Sequence, residues 1–211
     1  KRVHAHNLVE WAKNRPEVVV FSGDLTTSCE IDTFRDVYPD RFFSMGLTEQ
    51  NMMSFAGGMA REGFTPFVHT FAVFMYRRAL DQVEMSIAYP NLRVRLFGFL
   101  PGVTTPGGAT HQAIDDIGVL RVLPNMTVIV PADPLETAQA LRFAAEQHGP
   151  IFLRISRMPV PAVHDASYRF VAGRAALLRP GRDVTLIANG TMISRALEAA
   201  ALLAAAGVDA R

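Results

Sequence analysis

Apolar residues in this chain fall into short continuous runs separated by longer segments with helical spacing. The runs at 18–21, 42–45, 66–69, 94–97, 127–130 and 151–155 are rich in β-branched and aromatic residues, which predicts strands buried on both faces. Between them, segments 49–61, 74–89, 113–120 and 134–147 are amphipathic or apolar, and 2–13 has helical spacing through Val3, Leu8 and Trp11. Asp133 before Pro134 predicts a capped helix start, with the proline where a missing N–H costs nothing. Strands alternating with helices predict an α/β fold with a doubly wound, mostly parallel sheet.

The pattern lapses over 158–180, where Pro159, Pro161, Gly173 and Pro180 interrupt any period, and a fresh strand-turn-helix unit follows over 184–206. The expected organisation is one domain over 1–157, an interdomain linker over 158–180 and the start of a second α/β domain over 181–211. After the alanine-rich last helix, Gly207-Val208-Asp209-Ala210-Arg211 reads like the approach to another strand, so the chain is expected to be a fragment.

Composition narrows the function classes. Of 211 residues, 49% are hydrophobic and 19% charged, enough for one substantial core. Lys and Arg total 21 against 20 acidic residues, so no basic field is available to select nucleic acid or anionic lipid, and neither is an expected partner. The lone cysteine, Cys29, excludes a disulfide within this chain. No charged segment followed by an apolar run opens the sequence and no stretch is long enough to span a bilayer, so the expected location is the cytoplasm.

Four segments could carry chemistry. Gly46-Leu47-Thr48-Glu49-Gln50-Asn51 follows a strand and opens a helix, which puts the Glu49 carboxylate at the sheet edge where doubly wound folds place ligands. Such a carboxylate could equally serve only the positive end of the helix dipole. Phe71 and Phe74 lie at a strand-to-helix junction, a spacing that core packing alone would also produce. His111 ends the glycine-rich stretch Pro106-Gly107-Gly108-Ala109-Thr110-His111, and Ser156-Arg157 closes a strand where a cation could meet a phosphate.

In this order and spacing the chain resembles the transketolase family, particularly its C-terminal subunits encoded apart from the N-terminal half. The resemblance rests on Asp40-Arg41-Phe42-Phe43 through Met52, Thr70-Phe71-Ala72-Val73-Phe74 with Asp81-Gln82, Ser86 to Asn91, Gly108-Ala109-Thr110-His111-Gln112, and Pro124-Asn125-Met126 to Asp133. It implies thiamine diphosphate as cofactor and transfer of a two-carbon ketol unit from a ketose phosphate to an aldehyde. Glu49 matches the glutamate that bonds the aminopyrimidine nitrogen and drives it to the imino form that deprotonates the thiazolium. A carboxyl group with that task is expected in an apolar, largely dry pocket. Phe71 and Phe74 match aromatics beside the pyrimidine, Phe74 being the expected stacking partner. By the same match Asp24 and Leu25 approach the cofactor, Ser28, Arg157 and Arg2 bind the substrate phosphate, and His111 contacts substrate near the reacting carbon.

The pattern also departs from the family. Phe99 stands near the position of a histidine, and Gly107 near that of an acidic residue, both of which contact sugar hydroxyls in family members. A pocket without those groups should favour a less hydroxylated or differently branched sugar phosphate. No Gly-Asp-Gly segment followed by an Asn-rich stretch occurs, so no metal ligands are assigned to this chain. The diphosphate and a divalent metal, Mg or Ca, are expected on a partner, an N-terminal transketolase subunit, in an α2β2 heterotetramer. Three alternatives stand beside this reading: the β subunit of a 2-oxoacid dehydrogenase, against which Thr110-His111-Gln112 and Ser156-Arg157 argue; a deoxyxylulose-phosphate synthase fragment, disfavoured by the Phe71 to Asp81 spacing; and a non-catalytic assembly module, whose signature would be loss of Glu49.

Overall fold

The computed structural model describes residues 3–211. Six strands, β1 (Val18–Ser22), β2 (Phe42–Ser44), β3 (Thr65–Phe71), β4 (Arg95–Phe99), β5 (Thr127–Ile129) and β6 (Ile151–Ile155), form one sheet in the order β2-β1-β3-β4-β6-β5. Every neighbouring pair is parallel, so the sheet is wholly rather than mostly parallel. The helices are α1 (Val3–Ala12), α2 (Asp32–Val37), α3 (Glu49–Arg61), α4 (Ala72–Arg77), α5 (Leu80–Val83), α6 (Asp116–Leu120), α7 (Pro134–Glu146) and α8 (Met192–Ala205).

The strand period of two sorts side chains into two cores. Val19 and Phe21 of β1, Val68 of β3, Leu96 of β4 and Phe152 of β6 face Met52 and Met53 of α3 and Met75 of α4. On the other side Val18, Val20, Phe67, Phe97, Phe99 and Leu153 face Leu8 of α1, Phe34 of α2 and Leu141 of α7. With both faces covered, strands must be apolar at every position, which is why they read as unbroken runs. Each fully buried phenylalanine contributes about 1.5–3 kcal/mol relative to exposure. Polar residues interrupt this second face: His69 of β3 and Arg95 of β4 are both fully buried there.

Several elements differ from the pattern. The helix expected over 74–89 stops at Arg77, Ala79 leaves helical geometry at φ −133°, and after α5 the chain makes a π-helical turn over Glu84–Ala88. That wide turn meets α3 backbone to backbone, since a Cβ on Gly57 would lie 2.4 Å from the Ser86 carbonyl oxygen. The helix expected from 113 begins only at Asp116, because Ala113 is held in a two-hydrogen-bond bridge to Gly102. The short α2 buries only Phe34, too little for a period to register. β3 and β4 run on to Phe71 and Phe99, which prolongs the sheet toward the edge where the candidate residues lie.

Asp133 caps α7 as the sequence predicts, its Oδ1 accepting from Glu136 N at 2.9 Å while Glu136 Oε2 accepts from Ala132 N at 2.7 Å. Its other oxygen accepts from the amides of Val163 and His164, tying the following segment to the helix start. Residues 156–183 contain no helix or strand, and the strand expected near 184 is a single parallel bridge between Val184 and Ala210. Among the described residues no helix is long and apolar enough to cross a membrane.

Candidate active site

Strand β1 has β2 on one side and β3 on the other, so successive connections diverge there and leave a crevice at the carboxyl ends, the usual ligand position of such sheets. Glu49 opens α3 beside it and is 3% exposed. A buried carboxylate needs a partner, and Arg78 Nη1 donates to Glu49 Oε1 at 2.9 Å. No described residue donates to Oε2. The Glu49 carboxylate is therefore buried but not in apolar surroundings: it forms an ion pair whose arginine end is 47% exposed and whose glutamate end is 2% exposed.

Phe71 ends β3 and Phe74 lies on the first turn of α4, with ring centroids 5.8 Å apart and planes 21° from parallel. Arg78, four residues beyond Phe74 and so on the same helical side, lays its guanidinium carbon 3.8 Å from the Phe74 ring centre. His111 meets Phe74 edge-on at 5.2 Å and Phe71 at 6.4 Å. Glu49, Phe71, Phe74 and His111 are thus brought together, joined by an arginine that sequence reasoning missed. The i to i+4 spacing from Phe74 was the available signal.

His111 is held by its loop. The bridge between Gly102 and Ala113 closes the neck, with N–H···O distances of 2.7 and 3.1 Å. Beyond it Asp115 accepts from the Tyr76 hydroxyl and from Arg77 at 3.0 Å, while Arg154 of β6 donates to Asp116 Oδ2 at 2.7 Å and to the Ala113 carbonyl. The Tyr76 hydrogen bond, with Arg77 assisting and burial opposing, holds the Asp115 carboxyl below its ordinary range. Burial and the same bond push the Tyr76 hydroxyl up to about 12. Asp115→Ala should therefore loosen the loop, and hydrogen exchange at the Gly102 and Ala113 amides should accelerate while exchange in β3 and β4 stays unchanged. Within the loop, a Cβ at Gly107 would stand 2.7 Å from His111 Cγ, so an acidic side chain there would displace the histidine.

The remaining candidates lie around this group. Asp24 is exposed with φ at 61°, and Leu25 is partly buried where the two cores meet. Ser28 is half-buried in the same loop. Arg157 lies past β6 and approaches Glu30 at 3.7 Å, so an anion at Arg157 must open that pair. Both line a cavity of about 310 Å³ that also includes His4, Phe99 and Ser156. Phe99 is register partner to Phe71 on one side and Ile155 on the other. The aromatic pair and the start of the Arg157 segment are thus two strand spacings apart, roughly 10 Å, a distance a sugar phosphate can bridge. Arg2 lies outside the described residues.

The ring-binding half of thiamine diphosphate fits this site. It offers a buried carboxylate, a stacked aromatic pair and the Thr70 Oγ1 near the end of β3, which is buried without a hydrogen-bond partner among the described residues. Among the described residues no group of three or more His, Cys, Asp or Glu side chains could hold a metal ion.

Comparisons with known proteins give the same direction. Residues 2–162 match the family model for the transketolase pyrimidine-binding domain, and residues 173–211 match that for the transketolase C-terminal domain. A transketolase family protein of Sinorhizobium fredii is 45% identical over 97% of this chain and 60% of its own length. A 6-deoxy-6-sulfo-D-fructose transketolase subunit of a Clostridium species is 36% identical over 96% of this chain and 63% of its own. The chain thus spans less than two thirds of these relatives. A solved structure described as a split gene transketolase, inactive beta4 tetramer, superposes with a TM-score of 0.89 at 43% identity, covering 99% of this chain and 68% of that one.

Proposed function

This chain belongs to the transketolase family, and from that premise we propose that it supplies the pyrimidine-ring half of a thiamine-diphosphate-dependent transketolase site, completed by a second chain. The observation that carries the reading is the convergence of the buried Glu49 carboxylate with the stacked Phe71 and Phe74 rings and the edge of His111. When bound, thiamine diphosphate supplies the nucleophilic carbon and the electron sink for cleaving a ketose.

In this reading each residue has a separate task. Phe74 and Phe71 take the ring between apolar surfaces, with Asp24 and Leu25 beside it. Glu49 holds a shared proton at Oε2, the oxygen that Arg78 leaves open, while burial keeps water from competing for it. His111 donates to the oxygen that gains charge near the reacting carbon. Arg157 and Ser28 hold the anionic end, with Arg157 leaving Glu30 to do so.

The substrate in this proposal is a ketose bearing an anionic end group and an altered hydroxyl pattern. Phe99 and Gly107 offer no polar side chain, and a relative named for 6-deoxy-6-sulfo-D-fructose is in keeping with such a preference. Diphosphate and a divalent metal are assigned to an N-terminal-type subunit, in an α2β2 assembly.

Titration calorimetry tests the division of labour. The purified polypeptide should show no specific magnesium-dependent uptake of thiamine diphosphate, and uptake should appear on adding the partner subunit. Tight metal-dependent binding by this polypeptide by itself would overturn the two-chain site.

A further inference from the structure

His4, which lines the cavity beside Arg157, carries a buried ring nitrogen that the chemistry above does not use. His69 stacks on Phe97 with centroids 4.7 Å apart and planes 6° from parallel, and its Nδ1 lies 3.0 Å from the Phe67 carbonyl oxygen. A carbonyl only accepts, so Nδ1 carries the proton of the neutral ring and Nε2 is left as a lone pair. His4 Nε2 stands 2.9 Å from that Nε2 and must be the donor. The proton of the His4 ring is thereby committed, and Nδ1 becomes an acceptor. Burial supports the neutral form of both rings: it pulls His4 down to about 3 and, together with the His4 ring, holds His69 well below its ordinary value.

His4 Nδ1 is buried without a hydrogen-bond partner among the described residues, and His4 lines the cavity with Arg157. A buried acceptor without a donor is unstable relative to one that a ligand satisfies. The wall thus offers a guanidinium for an anion and an acceptor that would repel an anion's oxygens. The matching ligand has a hydroxyl close to its charged end.

We propose that His4 is a specificity residue, whose Nδ1 accepts a hydrogen bond from a substrate hydroxyl near the anionic end group, and that His69 is the positioning residue that fixes its tautomer. The proposal rests on the reading above only in taking Arg157 as the anion site. It assigns a polar contact to a wall where Phe99 supplies none.

The test compares two probes on the assembled two-chain protein: sn-glycerol 3-phosphate, and n-propyl phosphate, which lacks the hydroxyls. Wild type should bind the first about 5- to 10-fold more tightly, the range of one neutral hydrogen bond. His4→Phe should bring the ratio close to 1 with propyl phosphate affinity retained. His69→Gln, whose side-chain oxygen can still accept from His4, should keep the preference, while His69→Phe should lose it. Nitrogen chemical shifts should show His4 protonated at Nε2 and His69 at Nδ1 in the wild type. A wild-type ratio near 1, no binding of either probe, a preference that survives His4→Phe, or the opposite tautomers would overturn the proposal. Arg157→Ala separates the two readings: it should weaken both probes equally, and unchanged affinity for both would instead remove Arg157 as the anion site.

Discussion

Glu49→Gln in the assembled two-chain enzyme is expected to lower kcat by roughly two to four orders of magnitude, the usual contribution of a positioned acid–base group. The substitution keeps the shape of the side chain, and the amide oxygen can still accept from Arg78. What it removes is the oxygen able to hold a shared proton at the position of Oε2. The fold should persist, because the arginine end of the pair is 47% exposed and can turn to water once its partner is neutral. Cofactor affinity measured by calorimetry should change little, since the stacked Phe71 and Phe74 rings are untouched. A fall in kcat with retained affinity and an unchanged melting profile is the combination expected.

A second large effect concerns acid. His4 and His69 are both neutral in the folded chain because burial pulls their pKa values down, to about 3 for His4, whereas in the unfolded chain each titrates near 6.5. As pH falls below about 6.5 the unfolded state binds protons that the folded state refuses, so stability decreases. Above that value the contribution is fully present. The limiting slope is about 1.4 kcal/mol per pH unit for each histidine. Against a typical total of roughly 5–15 kcal/mol, two such groups should bring a steep loss of stability between pH 6.5 and 4.5, before most carboxylates titrate. The charged residues lining the cavity beside His4, Glu30 and Asp133 against Arg154 and Arg157, balance in sign and should leave the direction unchanged. Urea unfolding of the wild type and of the double variant His4→Phe/His69→Phe across this range decides the matter. The variant should lose most of the pH dependence, and an equally steep profile in it would place the effect elsewhere.

Some of this molecule is written locally in its sequence and some is not. The bounds of α3 and β6 coincide with the periodic segments, and Asp133-Pro134 marks the start of α7, because each is encoded by neighbouring residues. The segment 74–89 does not continue as one helix, since its break at Ala79 and the π-helical turn answer to packing against α3 rather than to its own spacing. The candidate site divides in the same way. Glu49, Phe71, Phe74 and His111 could be picked out because each sits at a sheet-edge junction or in a glycine-rich loop that the sequence displays. Arg78 with Glu49, Asp115 with Tyr76, and His4 with His69 are pairs separated by 29, 39 and 65 residues, and no local pattern specifies them. Phe99 shows the limit of reading a position by its type. Its apolar ring suggests a pocket wall without any polar group, yet Phe99 is fully buried against His4 and His69, and an imidazole from another element lies beside it.

Glu49, in the proposed site, controls proton removal from the cofactor ring system. The most direct measurement is the rate of hydrogen–deuterium exchange at the thiazolium C2 of thiamine diphosphate bound to the assembled two-chain protein, in wild type and Glu49→Gln, read by proton NMR after acid quench. Wild type should accelerate exchange far above that of free cofactor, and Glu49→Gln should return it close to the free rate while cofactor remains bound. Exchange in Glu49→Gln as fast as in wild type would contradict the assignment of Glu49 and, with it, the catalytic role given to this site.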